Sequence, residues 1–328
     1  MQEELQKLID MYTLSPEQFE DYKKNVIMTL TTGVYPAKET KEVLMIVGGQ
    51  PGAGKTRLST AVMDELQKNA VKVDFDELRA LHPFYQAVCS SYPEIVHRIL
   101  RYDTDEVKKE VLKYLIDNGY NVIYEGALRV TQGFIDFTKD FREKGYSVKL
   151  NVMAVPELES YGSGFVRYAM ALLTNKTPRW IEKSLHDESY QGVVNTVRAF
   201  EQQEIADDIR VFVRGDSEAS NPQKIYSKDG NEYKDAVTAV EVGREKCRRK
   251  AVEDFTTKFN MVKGIFEQKC PELLEQLNIW KELYEKEQNY FVAFLSTTGI
   301  QNSGKMVADA VNKIGKISSD DSKEISID

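Results

Sequence analysis

Cysteine and histidine are scarce, with three of each in 328 residues. Cys89, Cys247 and Cys270 are far apart and odd in number, which argues against a disulfide framework or a CxxC metal site and fits a reducing cytoplasm. So few histidines leave no zinc cluster in view; His82 and His186 lack a partner pattern for metal or nucleophilic chemistry and read as structural, and Cys89 reads as packing. No apolar run reaches the roughly 18 residues that span a bilayer. The opening MQEELQKLIDMYTL is acidic and lacks the basic-then-apolar order of a signal peptide, so neither a membrane nor export is expected. A surplus of positive charge is missing too: 44 Lys and Arg stand against 52 Asp and Glu, a net charge of -8. Nucleic acid is therefore not expected as the main partner, because neutralising its phosphates requires a cationic surplus.

What is present is the composition of an ordinary globular enzyme, 41% hydrophobic and 29% charged. The length suits about two domains at roughly 100–200 residues each. Ser15-Pro16-Glu17-Gln18 reads as a capping box that starts a helix running to about Leu30. Val43 to Val47 is a continuous apolar run, the pattern of a strand buried on both faces. Strands at 71–75, 121–124, 147–155 and 209–213 then alternate with helices at 58–66, 103–117 and 131–144, which predicts an α/β fold with a parallel sheet and helices on both faces. After Arg214 the texture changes: turn formers are followed by IYSKDGNEY, which reads as a small hairpin around Asp229-Gly230. From about Ala236 two packed helices are expected. Phe255, Phe259, Val262 and Phe266 share one face of the first, Leu273, Leu277, Trp280 and Tyr284 one face of the second, and Pro271 starts the second. Residues 298–328 read as a flexible tail.

Gly49-Gln50-Pro51-Gly52-Ala53-Gly54-Lys55-Thr56 matches GxxxxGK(S/T) between the buried strand and a helix, which is the context this phosphate-binding loop requires. Glycines let successive N–H groups turn toward phosphate oxygens, the helix N-terminus adds its positive end, Lys55 neutralises the terminal phosphates and Thr56 reaches magnesium. A guanine-specifying N/TKxD motif is not evident, which favours ATP over GTP without excluding GTP.

Catalytic groups of a parallel sheet gather at the carboxyl ends of its strands. Asp76, just after the second strand, is placed to accept the proton of an attacking hydroxyl, with Asp74 its rival and helix capping its structural alternative. Glu125 ends the third strand and Arg129 follows one turn on, suited to orienting substrate or metal-bound water, or else to capping a helix. Arg167 and Arg179 flank the segment beyond the fourth strand where P-loop kinases carry a lid, and planar guanidinium groups suit a migrating phosphoryl.

With these stretches in hand, GGQPGAGKT, VDFDELRALHP, YEGALR, VMAVP followed by Arg167-Tyr168, and Arg179 with His186-Asp187, the chain resembles the zeta toxin family of P-loop kinases over about residues 10–235. The resemblance implies a kinase domain over 1–235, outside which lies a helical extension over 236–297. It implies transfer of the γ-phosphoryl of ATP or GTP to a hydroxyl of UDP-N-acetylglucosamine, and a small helical antitoxin as partner. By the same resemblance Lys55 binds phosphates, Asp76 is the base, Glu125 and Arg129 hold the active edge, and Arg167 and Arg179 stabilise the transferring phosphoryl. Another nucleotide-like acceptor such as NAD, or an NTPase switch with no acceptor, stands as the alternative. The C-terminal helices are expected either to regulate the kinase in place of an antitoxin or simply to stabilise it.

Overall fold

A computed structural model describes residues 2–37, 42–92, 95–174, 176, 178–215, 220–230 and 232–297; the expected tail from 298 lies outside them. Helices α1 (Gln2–Tyr12) and α2 (Pro16–Thr31) lead into strand β1 (Val43–Gly48) and helix α3 (Lys55–Glu65). Next come β2 (Val71–Val73), α4 (Phe75–Ala80), α5 (Tyr85–Ser91), α6 (Val96–Ile99), α7 (Arg101–Asp117) and β3 (Val122–Gly126). The chain continues through α8 (Thr131–Glu143), β4 (Ser147–Met153), α9 (Glu157–Leu173), α10 (Lys183–Gln202), β5 (Asp208–Val213) and β6 (Gln223–Tyr226), and ends in α11 (Ala236–Lys269) and α12 (Leu277–Thr297).

The capping box at Ser15 forms: Ser15 Oγ accepts the Gln18 N–H at 3.3 Å, and Gln18 Oε1 accepts the Ser15 N–H at 3.0 Å. The strands form one sheet in the order β2-β3-β1-β4-β5-β6, parallel throughout except for β6. The apolar run of β1 is explained by its central place, because Leu44 and Ile46 enter the core on one face while Met45 and Val47 enter the core on the other. All five parallel strands point their carboxyl ends to the same edge, where the β1–α3 turn opens.

Two expectations need correction. Strand β2 stops at Val73, because Asp74 turns the chain: its Oδ1 accepts the Asp76 N–H at 2.8 Å and caps α4. The hairpin around Asp229-Gly230 is reduced to a single bridge, Ser227 to Gly230, and Gln223–Tyr226 pairs instead with β5, satisfying that strand's otherwise open edge. The Asp208 carboxylate fixes this arrangement by accepting from Ser227 Oγ at 3.1 Å and from the Lys228 N–H at 3.0 Å.

Helix α11 crosses from one core to another. Ala236, Ala239 and Val240 belong to the sheet core, whereas Ala251, Phe255, Val262 and Phe266 pack with Leu158, Tyr161 and Phe165 of α9 and with Leu277 and Trp280 of α12. The shared face read from the sequence is thus realised, with the Phe255 ring stacked on Tyr284 at 3.9 Å between centroids. Trp280 is the keystone of this cluster. Only 2% exposed, it stacks on Phe165, donates from Nε1 to the Leu158 carbonyl at 3.2 Å and fills the space above Gly162 where any Cβ would collide with it. Trp280→Ala is expected to destabilise the fold by about 3–5 kcal/mol in urea titration, through lost burial and the cavity left behind; a change under about 1 kcal/mol would show that the C-terminal helices do not fold as one unit with α9.

Candidate active site

Backbone geometry builds the phosphate-binding loop. Gly52 and Gly54 adopt positive φ angles of 77° and 95°, the left-handed region open to glycine, and Gly54 is the N-cap of α3. A side chain at Gly52 would also strike the Ser160 carbonyl of α9. The loop is held from outside by Arg214, just past the end of β5. Its Nη2 donates to the Gly52 carbonyl and, at 3.0 Å, to Ser163 Oγ, while Nη1 bonds Glu159 Oε1 at 2.8 Å.

Lys55 folds back over its own loop, donating from Nζ to the Gly49 carbonyl at 2.9 Å and to the Gln50 carbonyl at 3.3 Å. Its pKa is pushed down to about 8, first by loss of hydration and further by Arg167; Glu125, Asp74 and Asp76 act in the opposite direction. The charges acting on this one ammonium come from three separate stretches of the chain: Asp74 and Asp76, Glu125, and Arg167.

Asp76 sits in the first turn of α4 with both carboxylate oxygens engaged: Oδ1 accepts from Arg79 Nη1 at 2.9 Å and Oδ2 from Arg179 Nη1 at 2.6 Å. Capping falls to Asp74, whose own pKa is raised by burial and by the nearby Glu125 and Asp76 charges. Glu125 caps no helix. It is 8% exposed within β3, with Lys72 Nζ 3.2 Å from its Oε1. Burial and the charge of Arg179 push the Arg167 pKa down. Arg129 behaves differently. It faces α10, 3.6 Å from Glu188, and does not figure among the groups acting on Lys55.

Among the described residues no group of three or more His, Cys, Asp or Glu is placed to hold a metal. A magnesium ion fits the site only in the form that phosphate loops use, on the exposed Thr56 hydroxyl beside Lys55, completed by phosphate oxygens and water. Sequence reasoning missed Arg79, Lys72 and Arg214. Arg214 alone carried a signal, since it directly follows the end of a parallel strand.

His82 is structural, as its sequence context implies. Nδ1 accepts the Phe84 N–H at 3.1 Å, which leaves Nε2–H to face Asp103 Oδ2 at 3.3 Å, and the ring lies edge-on to Tyr22. No helix among the described residues is long and apolar enough to cross a membrane.

Comparison with known proteins places this geometry in a family. Residues 27–225 match the family model described as Zeta toxin. Toxin zeta of Enterococcus hirae is 30% identical over 170 residues, covering 52% of this chain and 59% of its own length, so the chain matches under two thirds of that relative. Toxin zeta of Streptococcus pyogenes is 27% identical over 63% of this chain and 72% of its own, and Toxin PezT of Streptococcus pneumoniae is 29% identical over 57% and 74%. A solved structure of the PezAT chromosomal toxin-antitoxin system of Streptococcus pneumoniae superposes with a TM-score of 0.66 at 22% identity, covering 76% of this chain and 98% of that one, and shares the fold.

Proposed function

Because this chain belongs to the zeta toxin family, we propose that it is a small-molecule kinase that transfers the γ-phosphoryl group of ATP to a hydroxyl of UDP-N-acetylglucosamine, and that it acts as the toxin of a toxin-antitoxin pair. The observation that carries the kinase chemistry is the glycine-built loop with Lys55 at the carboxyl edge of the sheet, together with Asp76 just past β2, bound by Arg79 and Arg179. A phosphate cradle, a carboxylate base and two guanidinium groups are the parts that transfer to an alcohol requires.

In the proposed reaction the loop amides and Lys55 hold the β- and γ-phosphates, and Thr56 supplies the protein oxygen for magnesium, which neutralises phosphate charge when bound. The acceptor hydroxyl displaces Arg179 from Asp76 Oδ2 and gives its proton to that oxygen. The new O–P bond forms as the bond from γ-phosphorus to the ADP oxygen breaks. Arg179, released from Asp76, joins Arg167 on the equatorial oxygens of the phosphoryl group. Arg79 keeps Asp76 oriented through Oδ1 during the exchange. Glu125, pinned by Lys72, lines the acceptor side, whereas Arg129 stays paired with Glu188 of α10. A helical antitoxin is the expected partner in trans, and the packing of α11 and α12 on α9 is the basis for stabilisation of that helix in cis.

Incubation with γ-labelled ATP or GTP and a panel of UDP-sugars, nucleosides and NAD tests this directly. Label is expected on UDP-N-acetylglucosamine. Transfer to NAD alone would reassign the acceptor, and steady phosphate release that no acceptor accelerates would replace the kinase by an NTPase switch.

A further inference from the structure

Behind the phosphate loop runs a polar chain, fully buried over its first three members, that has no part in the chemistry above. Gln50, Ser160 and His186 are each 0% exposed and lie on three elements: the loop, α9 and α10. Gln50 Nε2 donates to the Val155 carbonyl at 2.8 Å and to Ser160 Oγ at 3.1 Å, and Ser160 Oγ lies 2.9 Å from His186 Nε2. His186 Nδ1 faces Asp187 Oδ1 at 3.4 Å, and Lys183 Nζ bridges Asp187 to Glu157. Ser160 Oγ also lies 3.0 Å from the Pro156 carbonyl and 3.2 Å from the Glu157 carbonyl, so its hydroxyl has acceptors within α9 as well as at His186, and burial, which pushes the His186 pKa down, favours the neutral ring. Ser160 Oγ is thus the joint of the chain, taking the Gln50 amide on one side and meeting the His186 ring on the other.

Position makes this chain more than core filling. The Gln50 backbone carbonyl is one of the two oxygens holding Lys55 Nζ, at 3.3 Å, and it also accepts the Ala53 N–H at 3.1 Å. Fixing the Gln50 side chain fixes the peptide on which the lysine rests. The far end of the chain is on α10, directly after the segment carrying Arg179, and its middle is on α9, which carries Arg167. An apolar substitute of the same shape would fill the space but leave the loop free to turn about Gln50.

We propose that His186 is a positioning residue for the phosphate-binding loop, acting through Ser160 and Gln50 to lock the loop to α9, which carries Arg167, and to α10, which follows Arg179. It touches neither nucleotide nor acceptor. The inference rests on the nucleotide-binding part of the function proposed above and is independent of the acceptor.

The test is calorimetric titration of the full chain with magnesium–ATP, comparing wild type with Ser160→Ala, His186→Leu, the double variant and His186→Gln. Each of the first two is expected to weaken binding about tenfold, the scale on which groups behind a binding shell act. The double variant should be no worse than either single, because both break one chain. His186→Gln, which returns a hydrogen-bonding partner able to donate or accept to Ser160 Oγ, should lie within about threefold of wild type. A merely structural histidine would lower the melting temperature and leave these affinities in place. Unchanged affinity, losses that multiply in the double variant, or a glutamine variant as weak as the leucine variant would overturn the proposal. Should the wild type bind magnesium–ATP and show this pattern while labelling no acceptor, the acceptor assignment alone fails; should it bind no nucleotide, both fail together.

Discussion

Asp76→Asn should slow phosphoryl transfer about a thousandfold while leaving the affinity for magnesium–ATP within a few-fold of wild type. The asparagine has the same shape, stays in the first turn of α4 and keeps a carbonyl oxygen for Arg79, but it cannot take the proton of the acceptor hydroxyl. It also releases Arg179, which in the free protein is bound to Asp76 at 2.6 Å. The matched control is Asp74→Asn. Asparagine caps helices about as well as aspartate, so this change removes a charge beside Lys55 without unwinding α4. Single-turnover rates with both variants separate the rivals: if the Asp74 variant loses the thousandfold and the Asp76 variant keeps its rate, the base has been misassigned.

Lys55→Met should weaken magnesium–ATP binding about 10- to 100-fold, the worth of one charge-assisted phosphate contact of roughly 1.5–3 kcal/mol. The pH dependence carries more information than the loss itself. In the free protein the Lys55 pKa has fallen to about 8, because its ammonium has lost hydration. A bound triphosphate favours the charged form and raises that pKa again. Binding above pH 8 therefore takes up a proton, so wild-type affinity is flat below that pH and falls as pH rises through it, by up to about tenfold per unit. Affinity of the Met variant should lack this fall. Parallel pH profiles in the two proteins would place the titrating group elsewhere.

Local chemistry explains what could be read along the chain. The loop at residues 49–56 was legible because its function resides in backbone turns that only glycine permits, and those turns are written in adjacent positions. The capping box at Ser15 and the buried run of β1 were legible for the same reason, each being set by residues within one or two turns of each other. Helices α9 and α10 were not anticipated as elements. Their apolar faces are divided between the sheet, the loop and the C-terminal helices, so no single stripe announces them. Nor did spacing distinguish Asp74 from Asp76, since two carboxylates two residues apart swap roles according to which one meets the first free N–H of α4.

The sequence by itself determined that a glycine-rich GxxxxGK(S/T) turn follows a strand buried on both faces of a parallel α/β sheet, because hydrophobic period and glycine placement act over a few residues. Tertiary structure alone decided which charges surround Lys55, that Arg179 closes on Asp76 from 103 positions away, and that His186 reaches the loop through Ser160, which lies 110 positions from Gln50. Those contacts depend on how the sheet edge and helices come together, and pairing across such distances leaves no periodic trace in the chain.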